Sequence, residues 1–134
     1  MEHRIDPAVI AECTRLSFNN AGFPDVVKRL GATGVERYTA DLVRLEKTYY
    51  GTAGDTIHDA LPLEDPPAIA EDFSEADVRR AIAASQGQEI GYAEFLRRVM
   101  AAGTASYTVF LNGRRAIYFG RDGDFHVERF PGEP

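Results

Sequence analysis

Residues 23–62 read FPDVVKRLGATGVERYTADLVRLEKTYYGTAGDTIHDALP, and residues 92–131 read YAEFLRRVMAAGTASYTVFLNGRRAIYFGRDGDFHVERFP. Laid over one another at an offset of 69 they align without a gap, and eleven of forty positions are identical. The matches include Gly34/Gly103, Tyr38/Tyr107, Thr39/Thr108, Leu42/Leu111, Tyr49/Tyr118, Gly51/Gly120, Gly54/Gly123 and Asp55/Asp124. They fall on turn glycines and on alternating strand positions, where a shared fold constrains residue choice most. The pattern reads as an internal duplication of an ααβββ unit. Each unit is marginal alone, so the two are expected to share one core. The expected fold class is α+β, an antiparallel sheet of up to six strands covered by four helices.

Local signals place the elements. Asp6 is a good N-cap with Pro7 at the first helical position, and Val9, Ile10, Cys13 and Leu16 supply an apolar stripe. Pro24 opens a second helix carrying Val26, Val27 and Leu30, stopped by Gly31 and Gly34. In the other half Ser74 caps a helix with Val78, Ala81, Ile82 and Ser85 on its inner face. A further helix near 91–102 turns Phe95, Leu96, Val99 and Met100 inward. Strands are expected near 35–42, 44–50 and 56–61, then near 104–111, 114–119 and 125–130. Thr52-Ala53-Gly54-Asp55 is a turn, and Asn112-Gly113 and Asp122-Gly123 suit two-residue type I′ hairpins. The chain is expected to be a single domain over 1–134. Repeat 1 covers about 6–62, an acidic, proline-rich linker 62–73, and repeat 2 about 74–131.

Two-residue turns fix which side chains share a face. One face of the second repeat then holds Tyr107, Val109, Leu111, Ala116, Tyr118, Phe125 and Val127, apolar enough to be core. The other holds Ser106, Thr108, Phe110, Arg115, Ile117, Phe119, His126, Glu128 and Phe130. On that mixed face Phe110, Ile117, Phe119 and Phe130 form a candidate interface. Mapped back by 69 residues, the core face of the first repeat becomes Tyr38, Ala40, Leu42, Lys47, Tyr49, Thr56 and His58. Ala116 is thereby replaced by Lys47, and Val127 by His58. Tyr38, Lys47, Tyr49 and His58 form a candidate ligand-binding pocket in which Lys47 binds an anion and His58 moves a proton. A solvated face with Lys47 lying over Tyr49 accounts for the same residues.

The chain has 134 residues, 44% of them hydrophobic and 27% charged, with a formal net charge of -6. The charge is spread over both halves and gives no basic footprint for nucleic acid. No apolar run is long enough to span a bilayer, and the charged start lacks a signal-peptide pattern. The lone cysteine, Cys13, forms no intrachain disulfide, which with the rest predicts a cytoplasmic protein. His3, His58 and His126 are far apart without metal-ligand spacing, so no metal is expected. Arg121-Asp122-Gly123-Asp124 lacks the ligand ladder of a calcium loop. No glycine-rich phosphate loop, nucleophile elbow or activated cysteine is present, so neither a cofactor nor a catalytic residue is assigned.

EKTYYG at 46–51, YFGRDG at 118–123 and FLRRVMAAG at 95–103 resemble the YbcV-like family. These are small bacterial and prophage-encoded proteins, some labelled phage envelope protein. The resemblance runs from the first helix to Phe130-Pro131 and implies a cytoplasmic α+β protein of this size, with no catalytic residues to carry over. The first functional expectation is a non-enzymatic binding or interaction module, working as a homodimer through an exposed sheet face or arginine-bearing helices. The alternatives are a small-molecule binder or enzyme built around Tyr38, Lys47, Tyr49 and His58, and a prophage-derived regulator of a host protein.

Overall fold

The computed structural model describes residues 4–131. Asp6 accepts a hydrogen bond from the Ala8 amide (2.9 Å) and starts α1 (Pro7–Phe18), which is followed by α2 (Phe23–Ala32). β1 (Val35–Asp41), β2 (Glu46–Gly51) and β3 (Thr56–Ala60) complete the first half. In the second half the Ser74 hydroxyl accepts from the Asp77 amide (3.2 Å) to start α3 (Glu75–Gln86). Then come α4 (Tyr92–Ala101), β4 (Thr104–Phe110), β5 (Arg115–Gly120) and β6 (Phe125–Arg129). Corresponding elements have equal lengths in the two halves. His3 lies outside the described residues.

The six strands form one antiparallel sheet in the order β3-β2-β1-β4-β5-β6. The halves meet where β1 pairs with β4, and at the middle of that pairing Thr39 Oγ1 and Thr108 Oγ1 share a hydrogen bond of 2.9 Å. These two residues are 69 apart, so the sheet centre is also the centre of the sequence offset. The agreement extends to irregularities. Register shifts fall between Val35 and Arg37 and between Thr104 and Ser106. Across the bulges, the Leu42 amide donates to Ala105 O and the Leu111 amide to Glu36 O.

The helices lie over one face of this sheet. Their buried residues, among them Ile10, Cys13, Leu30, Val78, Leu96 and Val99, join Tyr38, Ala40, Tyr49, Tyr107, Val109 and Tyr118 in one core cluster. All four inner residues expected of α4 are buried. In α1 the buried set is Ile10, Cys13, Thr14 and Ser17 rather than the apolar stripe of Val9, Ile10, Cys13 and Leu16. The helix is turned so that Thr14 donates to the Asp59 carboxylate and Ser17 back-bonds to Cys13 O (2.9 Å), satisfying both hydroxyls.

The linker packs closely. Leu61 and Leu63 are buried, and Arg97 donates to Glu64 O (2.8 Å). The Ala70 and Ser74 amides donate to Met100 O and Ala102 O, carbonyls at the C-terminal end of α4.

The hairpin turns correct the expected faces. Asn112 and Gly113 do not form a type I′ turn: Phe110 pairs with Arg115 around a four-residue loop, with positive φ at Arg114. This leaves the parity of β4 against β5 as expected. The β5–β6 loop changes it. Gly120 N donates to Asp124 O (2.8 Å), Gly123 N donates to Gly120 O, and Gly123 takes φ +91°, so three residues are looped instead of two. A one-residue difference exchanges every side chain between faces. His126 therefore faces the core at 4% exposure, and Phe125 faces outward at 61%. Val127 is also outside, opposite Ile117. Phe130, placed on the outer face by the sequence, is 7% exposed and meets Phe23 edge-on at 5.2 Å. The β2–β3 loop repeats the geometry, with Gly51 N to Asp55 O at 2.8 Å and Gly54 at φ +87°. Hence Ile57 and Asp59 point inward while Thr56 and His58 point out, the reverse of the expected faces.

Candidate functional site

Between the helices and the inner face of the sheet lies a cavity of about 640 Å³. That is within the range of small-molecule sites. Both halves line it: the end of α1 and start of α2, the end of α3 and start of α4, and inner positions of β1, β2, β4, β5 and β6. Gly22 and Gly91 cap α2 and α4 without a side-chain hydrogen bond, and both stand at the cavity wall. The uncapped amides of a helix start carry partial positive charge.

A cluster of aromatic rings forms part of the wall. Tyr107 and Tyr118 stack at 5.2 Å, Phe95 meets both edge-on, and Tyr92 lies parallel to Phe95 at 6.2 Å. The Tyr92 and Tyr107 hydroxyls share a hydrogen bond of 2.5 Å. Desolvation pushes Tyr38, Tyr92 and Tyr107 well above the ordinary phenol value, and raises Tyr49 and Tyr118 as well. At neutral pH all five are protonated, each with one O–H to donate.

Lys47 lies among these rings. It occupies the β2 position matched by Ala116 in β5, and it is only 3% exposed. Its Nζ lies 4.9 Å from the Tyr92 ring centroid, 5.2 Å from that of Tyr38 and 6.0 Å from that of Tyr49. Among the described residues it makes no hydrogen bond or ion pair. Asp59 is its strand neighbour on β3, but the Asp59 carboxylate is engaged by Thr14. Burial pulls the Lys47 amine down from 10.5 to about 8, opposed chiefly by neighbouring Asp59.

The opposite wall carries Glu128, whose carboxylate meets His126 Nε2 at 2.9 Å, while Glu75 meets His126 Nδ1 at 2.7 Å. The imidazole thus bridges β6 to α3, and its hydrogen bond is the main cause that holds the Glu75 carboxyl below its ordinary value.

Of the four residues expected to form a pocket, the structure brings three together. Tyr38 and Lys47 line the cavity, and Tyr49 is buried beside Lys47. His58 is on the opposite sheet face, 3.3 Å from the Thr48 hydroxyl, so the proton-transfer role assigned to it has no access to Lys47. Sequence reasoning missed Tyr92, Phe95 and Glu128. Tyr92 sits where the first half has Phe23, at the first position of its helix, and that substitution at offset 69 was the available signal. Among the described residues no group of three or more His, Cys, Asp or Glu could hold a metal ion, and no helix is long and apolar enough to cross a membrane.

Fold and cavity together define an α+β protein with one open sheet face and a ligand-sized aromatic chamber behind the other. The chain belongs to the DUF1398 family, described as proteins of unknown function, whose model it matches over residues 12–128. It is 28% identical over 109 residues to uncharacterised proteins of Mycobacterium bovis and of two Mycobacterium tuberculosis strains. The matched part covers 81% of this chain and 66% of those relatives, just under two thirds of their length.

Proposed function

We propose that the protein binds a small, largely apolar organic molecule bearing a carboxylate or carbonyl oxygen. The polar end lies at Lys47, and the body lies against Tyr38, Tyr92, Tyr107 and Phe95. The observation that carries this is the amine of a nearly buried lysine, without a hydrogen-bond or ion-pair partner among the described residues, opening on a cavity large enough for a ligand. A buried charge left unpaired costs several kcal/mol. A ligand oxygen would supply the missing partner, and the two glycine-capped helix starts favour the same sign of charge. Asymmetry between the halves supports it too: if they descend from one duplicated unit, Lys47 marks where the first acquired a use the second lacks. A cytoplasmic setting fits the buried free thiol of Cys13.

Benzoate and benzyl alcohol test this by thermal shift and by NMR shifts of the cavity tyrosines. Benzoate is expected to raise the melting temperature and to lose that effect in Lys47→Met, while benzyl alcohol binds both forms. Absence of cavity shifts with either compound would remove the proposal.

A second reading draws on the outer sheet face, where Phe125 and Val127 are exposed beside the half-buried Phe110, Ile117 and Phe119. A homodimer formed through this patch is expected to dissociate on Phe125→Ser, measured by sedimentation equilibrium. A wild-type monomer at high concentration would count against it.

A further inference from the structure

We infer that Lys47 is a reactive amine that condenses with the carbonyl group of an aldehyde or ketone held in the cavity, forming an imine. This rests on the ligand site proposed above and specifies its chemistry. The chain has two lysines, Lys47 and the solvent-exposed Lys28. Ordinary buried lysines are tied to a carboxylate or a carbonyl. Lys47 is tied to neither among the described residues, so its nitrogen is not committed to another bond. The groups of ionisable character around it are Cys13 from α1, Tyr38 from β1, Tyr49 on its own strand, Asp59 from β3 and Tyr92 from α4. Asp59 raises the amine's value, and burial outweighs it. A useful fraction of the amine is therefore neutral, as a nucleophile requires.

The step balances within the site. The neutral amine lone pair attacks the carbonyl carbon, and the carbonyl π pair moves to oxygen. Proton transfer from nitrogen to oxygen gives a carbinolamine. Loss of that hydroxyl as water, with a proton drawn from solvent, leaves C=N. Overall one ammonium and one carbonyl become one iminium and one water. The hydrogen-bonded Tyr92–Tyr107 hydroxyl pair, held protonated by burial, offers hydrogen bonds to the departing oxygen in the same cavity, and the proton itself comes from solvent. Charge does not oppose the product. Three ring faces that attract the ammonium attract the iminium equally, so the cation is conserved where the aromatic surroundings stabilise it.

Benzaldehyde with sodium cyanoborohydride tests this on the wild-type protein. Hydride added to the iminium carbon leaves a benzyl group on the nitrogen, located by peptide mass mapping. Labelling of Lys47 is expected to exceed that of Lys28 on the order of tenfold, because burial leaves the Lys47 amine neutral far more often than an ordinary lysine amine. Benzyl alcohol is expected to slow labelling of Lys47 and leave Lys28 unaffected. Equal or faster labelling of Lys28 overturns the inference. If Lys47 then stays unlabelled while benzyl alcohol still shifts the cavity tyrosines, the imine falls and the ligand site stands. If neither occurs, both fall.

Discussion

Lys47→Met is expected to make the ligand-free protein more stable by about 3 kcal/mol at neutral pH, read from urea unfolding. In the unfolded chain the amine titrates at its ordinary 10.5, and in the folded protein at about 8. That difference corresponds to about 3 kcal/mol of destabilisation wherever both states are protonated. Between the two values the unfolded state binds more protons than the folded one, so wild-type stability rises with pH across that window. Methionine has a similar shape and no charge to desolvate, so the variant starts high and shows no such rise. Cys13 and the buried tyrosines act in the opposite direction. Burial lifts their folded values above the ordinary 9.0 and 10.0, so the unfolded chain sheds those protons first and stability falls as pH climbs past them. Wild type should therefore peak between about 8 and 10, and Lys47→Met should only decline over the same range. A variant less stable than wild type at neutral pH would show that Lys47 is a structural asset. A gain in stability from removing a side chain is the usual mark of a residue retained for function.

Gly103→Ala is expected to cost more than about 3 kcal/mol, the opposite sign and a comparable size. Gly103 joins α4 to β4 at φ +98°, where an L side chain is strained. A Cβ there would stand 2.2 Å from Asp72 O and 2.8 Å from Phe73 Cα, both backbone atoms. Those atoms have little room to retreat, because the Ala70 and Ser74 amides fasten the linker to the end of α4. Gly54→Ala separates the two contributions. It has φ +87° and nothing within 4 Å of its Cβ position, so it carries strain without collision and should cost about 1 kcal/mol. Equal losses in chemical denaturation would mean that the linker does not press on Gly103 in solution.

Element order and most boundaries were legible because caps, turn glycines and the offset of 69 agreed with one another. Pro7 and Ser74 start their helices where expected, and all four inward residues of α4 are buried. What escaped was parity. Asp122-Gly123 has the composition of a two-residue turn, yet Gly120 and Asp124 close a three-residue loop, and the final strand of each half turns over. His58 consequently left the site and His126 entered the core. The stripe of α1 failed for a related reason: periodicity counts apolar residues, whereas Thr14 and Ser17 are buried through the hydrogen bonds they make. Tyr38 and Lys47 could be identified from the comparison between halves. Tyr92 left only its replacement of Phe23 at the same offset as a signal, and Phe95 left none, since a cavity depends on how far helices stand from a sheet, which no local pattern encodes.

The pairing of β1 with β4 also bears on how the chain reaches this state. Each half is contiguous in sequence and closes its own hairpins over short loops, whereas β1 and β4 meet across a separation of about seventy residues. The chamber draws Tyr38 and Lys47 from one half and Tyr92, Tyr107 and Tyr118 from the other, so it is whole only after that meeting. A bound ligand thereby becomes a clock for assembly. If it slows unfolding and leaves the refolding rate unchanged, the halves dock after the main barrier; if it hastens refolding as well, docking is part of crossing it.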